Sequence, residues 1–340
     1  MEQRTVNEGL VYRKKRAIIV TVSLLVLTFV LCVATLKYGN ETYSLNTIVR
    51  VLMGEKVAKA NFPINVIRLP KMLTGLMVGF SLALAGNTFQ TILRNSLASP
   101  DVIGISTSTS AAGIFCILVL GLSGPAVSLI STAFGIFIAV LIYVLARGNV
   151  FNNNRLILVG IGVQTMMSAF ISYVMLNANE YDIPAALRWL NGSLNGVQMK
   201  SIPRLRTITI LFGIIILALE KDLKIMELGE QLSVTLGVRT DIVRVLLIVS
   251  SVFLIAFSTS VTGPIAFVAF LAGPIAKRLV GTGSKNLLVS GLVGASLVLM
   301  SEIIGQFAFS YRFPVGVITG VLGAPYLLLL LIQMNKRGGI

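Results

Sequence analysis

Apolar residues gather along this chain in long runs, at 17–36, 72–92, 103–121, 125–146, 156–177, 205–219, 242–262, 264–280, 286–304 and 315–334. At about 1.5 Å of rise per residue, roughly 20 apolar residues carry an α-helix across the hydrocarbon core of a bilayer, and most of these runs approach that length. The pattern therefore predicts an all-α membrane protein with ten transmembrane helices. An even number of crossings leaves both termini on one side. The basic run Arg13-Lys-Lys-Arg16 before the first span assigns that side to the cytoplasm. Under this topology 17 Lys and Arg lie inside and 11 outside, in the sense of the positive-inside rule. The first run is longer than the apolar core of a secretory signal and lacks a convincing small-x-small cleavage site, so it reads as a retained span. The predicted organisation is a cytoplasmic N-terminus at 1–16, a membrane domain at 17–334 and a cytoplasmic C-terminus at 335–340.

The polar interruptions are as informative as the apolar runs. Between Glu220 and Arg244, nine of 25 residues are ionised at pH 7, which marks a cytoplasmic loop in the otherwise apolar C-terminal half. Gly229 and Gly237 break its centre into two short helices, because glycine adopts left-handed backbone at little cost. Leu228, Leu232 and Leu236 repeat every four residues and form one apolar stripe. Such a stripe either lies on its own bundle or enters a groove on a partner. Within the spans, Gly, Ala, Ser and Thr let helices approach closely. Gly263-Pro264 and Gly273-Pro274 are expected to interrupt the eighth span, and Gly323-Ala-Pro325 the tenth. Broken helices at membrane depth favour a transporter over a simple anchor.

Composition narrows the chemistry. With 55% hydrophobic and 12% charged residues, the chain is far from a soluble globular composition. Its net charge of +15 is scattered through the loops, unlike the concentrated patch of a nucleic-acid-binding domain. Cys32 and Cys116 both lie inside apolar runs, and His is absent, so no disulfide framework or metal knuckle is indicated. Glu302 is the only ionised residue clearly inside a span. One carboxylate without a paired acid or base argues against an intramembrane enzyme or an ion-driven secondary carrier. Glu302 reads either as a pathway or gate residue, or as a structural partner of Arg312 near the outer interface.

Five blocks of sequence carry a family resemblance. They are Arg68-Leu-Pro-Lys71 with Ala85-Gly-Asn-Thr-Phe-Gln90 and Asn95-Ser-Leu-Ala-Ser-Pro-Asp-Val-Ile-Gly-Ile-Ser106; Trp189-Leu-Asn-Gly-Ser-Leu194; Leu228-Gly-Glu-Gln with Leu236-Gly-Val-Arg239; Gly263-Pro-Ile-Ala-Phe-Val268; and Phe313-Pro-Val-Gly-Val-Ile-Thr-Gly-Val-Leu-Gly-Ala-Pro325. In this order they resemble the FecCD-type permeases of iron-chelate (siderophore) and vitamin B12 ABC importers, over about residues 17 to 334. The resemblance implies a type II ABC importer permease of ten helices, moving a ferric siderophore into the cytoplasm, with cobalamin or haem as alternative cargo. It implies a bacterial inner-membrane location, a second permease subunit, two ATPase subunits holding ATP and Mg, and an external substrate-binding protein. No cofactor, metal or catalytic residue is implied on this chain, which contains no Gly-x-x-x-x-Gly-Lys-[Ser/Thr].

The resemblance also implies roles for individual residues. Glu227, Leu228, Gly229, Glu230, Leu232, Leu236, Gly237 and Arg239 would couple to the ATPase. Arg68, Lys71 and Arg312 would receive acidic residues of the binding protein; headgroup anchoring is the alternative for Arg68 and Lys71. Asn95, Leu97, Asn153 and Asn154 would narrow the pathway at its inner end, and Met166, Met167, Ser168 and Phe170 would line it. The chain departs from many relatives at Gly273-Pro274 (Pro-His), Gly281 to Ser284 (Asp-His), Ser96 (Pro), Gln306 (Arg) and Arg312 (an acid). The departures at Gly273-Pro274 and Arg312 lean toward a heterodimer with a related permease.

Overall fold

The computed structural model describes residues 2–96, 104–146, 153–281 and 285–336, and every one of the ten apolar runs contains a helix. The helices are α1 (Glu2–Lys37), α2 (Leu45–Leu52), α3 (Leu69–Ile92), α4 (Ile105–Leu118), α5 (Pro125–Ala146), α6 (Asn153–Leu176), α7 (Ile183–Leu190), α8 (Ile202–Ala218), α9 (Glu220–Met226), α10 (Glu230–Thr235), α11 (Thr240–Thr262), α12 (Val268–Val280), α13 (Leu287–Phe307) and α14 (Val315–Lys336). A π-helical turn, Pro63–Arg68, leads into α3. Among the described residues seven helices are long and apolar enough to cross a membrane, whereas Ile105–Leu118 and Val315–Leu330 are shorter apolar stretches.

α3 is the axis of the bundle. It packs chiefly on α13, then on α12 and α11, and 78% of its apolar core is buried, against 6% for α1 and 17% for α6. Glycine makes the approach possible. A Cβ on Gly79 would stand 2.5 Å from the Gly294 carbonyl oxygen, and one on Gly294 would stand 2.3 Å from that of Gly79. Backbones in such contact gain dispersion and weak C–H···O contacts that larger side chains would prevent. Outward, α1 shows Ile18, Val22, Val26 and Phe29, the surface a hydrocarbon solvent favours.

Two expected helix breaks do not occur. Pro274 stands inside a continuous α12 and Pro325 inside a continuous α14. The eighth apolar run breaks only at its start, where 263–267 is non-helical and Phe267 opens α12 in left-handed backbone, φ 64°.

Candidate functional site

The polar features collect at the two ends of the bundle. At the α7 end, Lys71 Nζ lies 2.7 Å from a Glu302 carboxylate oxygen and 2.5 Å from Asn195 Oδ1. Arg68 donates to the carbonyls of Leu36 (2.8 Å) and Lys37 (2.9 Å), which end α1, and to that of Glu41. Its guanidinium also lies 4.7 Å from the centre of the Tyr43 ring. Arg68 and Lys71 are each only 8% exposed. The pair read from sequence as surface cations is therefore internal, holding α1, α3 and α13 together. Glu302 is likewise paired with Lys71 and not with Arg312, whose exposed side chain donates to Asn40 Oδ1. Arg68, Lys71 and Arg312 still share one cavity of about 350 Å³, together with Glu41, Lys59 and Gln306. Asn195 and Glu41 had no signal in the sequence, since each acts across a long chain separation.

Deeper at this end three of the motif blocks meet through their backbones. Ser193 N–H donates to Thr262 O (2.7 Å) and Gly316 N–H to Gly192 O (3.1 Å). A Cβ on Gly192 would stand 2.2 Å from Pro264 O, on Gly263 2.0 Å from Trp189 O, and on Gly316 2.1 Å from Asn191 O. Glycine at these motif positions is thus a requirement of contact between α7, the α11–α12 segment and α14. Phe267 packs against Gly323 in the same way.

At the opposite end the charged loop folds as two short helices, α9 ending at Met226 and α10 lying between the expected breaks at Gly229 (φ 121°) and Gly237 (φ 85°). The Ser233 hydroxyl lies 2.9 Å from Ile225 O and 2.5 Å from Gly229 O, closing the turn on itself. Leu228, Leu232 and Leu236 are 60%, 57% and 60% exposed, so the stripe does not pack back on the bundle. Glu227 and Arg239 are exposed beside it, and Glu230 pairs with Arg244 at 3.1 Å. Glu220 is instead buried, accepting from Asn286 N–H (2.8 Å) and Leu287 N–H (3.0 Å) at the start of α13. A carboxylate is favoured there by the unsatisfied amides of a helix N-terminus. Burial holds the Lys224 ammonium below the usual lysine range, with Glu220 and Glu227 opposing the shift.

A second cavity, of about 360 Å³, opens beside this turn and is lined by Asn87, Gln90, Arg94, Asn95, Glu227 and Lys277, among others. Here the unbroken course of α12 finds its explanation. Pro274 has no N–H to offer Phe270 O, and Gln90 Nε2 donates to that carbonyl instead, at 2.9 Å. Gly273 gives the amide room, because a Cβ there would stand 2.2 Å from Gln90 Oε1. Gln90 Nε2 also lies 3.0 Å from Ser96 O, and Arg94 Nη2 donates to Met226 O at 2.9 Å. Of the residues expected to narrow the pathway, Asn95 lines this cavity and Asn154 is exposed on the first turn of α6. Leu97 lies outside the described residues, as does the side chain of Asn153. On α6, Met166, Ser168 and Phe170 are exposed while Met167 is buried.

Comparison with known proteins accords with this arrangement. Residues 24–333 match the model of the FecCD transport family. The chain is 32% identical to the ferric enterobactin transport system permease protein FepG of Escherichia coli, covering 96% of this chain and 100% of that one. It is 35% identical to the Fe(3+)-citrate import system permease protein YfmE of Bacillus subtilis, covering 94% and 96%. A solved structure described as a metal-chelate type ABC transporter in an inward-facing conformation superposes with a TM-score of 0.82 at 26% identity, covering 92% of this chain and 98% of that one. The match spans nearly all of the helical bundle, and the chain belongs to the FecCD transport family.

Proposed function

We propose that this chain is the permease subunit of an ATP-driven importer carrying an iron chelate, a ferric siderophore or ferric citrate, into the cytoplasm. The observation that carries the proposal is the exposed stripe Leu228, Leu232 and Leu236 on a charged turn, in a chain with no nucleotide-binding motif of its own. The stripe enters a groove of a separate ATPase subunit, so the α9–α10 end faces the cytoplasm and the α7 end faces outward. The cargo class rests on the relatives named for ferric enterobactin and ferric citrate. In this reading all ten apolar helices cross or enter the bilayer. A second permease subunit covers α6 and α14, where Leu158, Tyr173, Val321 and Leu328 stand exposed. At the outer end Arg312 and the rim of the Arg68–Lys71 cavity receive acidic groups of the binding protein.

Replacing Leu232 with Asp tests the central step. Radio-iron uptake from ferric enterobactin or ferric citrate should fall to background, with ATP hydrolysis no longer stimulated by loaded binding protein and the permease still present in the membrane. Uptake and stimulated hydrolysis that both persist would refute the coupling role. An absence of iron-chelate uptake by the unaltered, fully assembled complex would refute the cargo.

A further inference from the structure

We propose that Arg94 is a positioning residue that carries movement of the α9–α10 turn into the cytoplasmic end of α3 and, through Gln90, into α12. The inference rests on the permease reading above and adds to it a physical link between the ATPase-facing element and the bundle. It begins with the way α3 stops. The helix ends at Ile92, and Leu93 is its C-cap. Asn95 N–H then donates to Gln90 O (3.0 Å) and Arg94 N–H to Thr91 O (3.2 Å). That pair of bonds is a Schellman motif, which needs left-handed backbone at the residue after the cap and usually finds it in Gly or Asn. Here the position is occupied by Arg94, at φ 51°. A long, β-carbon-bearing side chain is thus retained where glycine would be more comfortable.

The side chain has a use. It leaves the motif and donates from Nη2 to Met226 O at 2.9 Å, the last carbonyl of α9 and the residue before the Glu227–Gly229 turn. The same carbonyl accepts from Gly229 N–H at 3.3 Å, and a cation at a helix C-terminus is favoured by the helix dipole. Nη1 lies 3.9 Å from where a Gly229 Cβ would stand, so the guanidinium follows the bend between the two short helices closely. The strand of chain that carries Arg94 is fastened on its other side as well, by Gln90 Nε2 lying within hydrogen-bond distance of both Ser96 O and the Phe270 O that Pro274 leaves free. Displacing the turn therefore pulls on residues 94–96, and through Gln90 on the middle of α12. The apolar stripe at Leu228 and Leu232 and this tie lie on the same turn, so what moves the one moves the other.

Arg94→Gly separates coupling from stability, because glycine suits the backbone and removes the tie. Reconstituted in vesicles with its ATPase and binding protein, this variant should melt at or above the temperature of the unaltered chain. It should co-purify with the ATPase and keep basal ATP hydrolysis. Iron chelate moved per ATP should fall about tenfold, the factor expected on losing one charge-assisted hydrogen bond from the coupled state. Arg94→Lys should fall between, since it keeps the charge without the fork. Gln90→Met, which keeps the bulk without the donor, should lower the same ratio. Unchanged transport per ATP in Arg94→Gly would overturn the inference, and an unchanged ratio in Gln90→Met alone would overturn its extension to α12. If Leu232→Asp also left transport and hydrolysis intact, the failure would lie in the coupling reading itself.

Discussion

Lys71 and Glu302 sit on α3 and α13 at the α7 end of the bundle, almost wholly buried and 2.7 Å apart. Two charges taken out of water in this way are held by each other and by the amide of Asn195, and removing one leaves the other without a counter-ion. Glu302→Gln should cost about 3–5 kcal/mol of stability in detergent, read as a lower melting temperature. Lys71→Met with Glu302→Leu should recover most of it, because an apolar pair of similar bulk needs no solvation. A double variant as unstable as Glu302→Gln would show that the pair does more than neutralise itself. The sequence made Glu302 visible as the lone acid of a span, yet it suggested Arg312, ten residues away, as the structural partner. Local spacing is all that a sequence reveals of an ion pair, and Lys71 reaches Glu302 only because the two helices are neighbours in space. The internal role of Arg68 was hidden for the same reason: its three carbonyl acceptors become a site only once α1 ends beside it.

Helices were the legible scale. Each apolar run contains a helix, and seven helices among the described residues are long and apolar enough to span, since a backbone in hydrocarbon must satisfy its own hydrogen bonds and has little choice of structure. What the runs could not show was where a proline breaks a helix. At Pro264 the chain is non-helical as far as Phe267, whereas at Pro274 the amide of Gln90 completes the bond. Small residues were legible as close packing, but not as pairs. Gly79 and Gly294 now define one contact in which each carbonyl occupies the other's Cβ position. Gly79→Val should force α3 from α13 and destabilise the bundle by about 1–3 kcal/mol. Gly162→Ala, on a helix face with nothing within 4 Å, should leave the melting temperature of the isolated subunit unchanged or raise it slightly. Equal losses at the two positions would argue against backbone contact as the function of Gly79.

The whole molecule is unevenly covered: α3 is enclosed by its own chain, while α6 and α14 carry glycines, Gly162 and Gly320, that face open space. A bundle complete in itself has little reason to leave such close-approach positions empty, and a second permease subunit fills them in the proposed assembly. Gly162→Leu with Gly320→Leu should therefore reduce recovery of the partner permease with a tagged chain, without loss of the single subunit. Recovery at the level of the unaltered protein would remove these faces from the interface. The sequence-based lean toward a heterodimer stands or falls on whether that partner is a related chain or a second copy.

The junction of motif blocks at the α7 end also gives the molecule an optical property. Trp189 is the sole tryptophan; its carbonyl lies against Gly263 and its indole lies over Gly113, with the ring nitrogen buried and unpartnered among the described residues. An indole whose N–H is shielded in this way emits further to the blue than one whose N–H meets water, and admitting water there shifts the emission to the red. Every photon the chain emits from tryptophan thus originates where α4, α7 and the start of the α11–α12 segment touch. The unaltered permease carries a reporter of that junction's hydration, with no label to introduce.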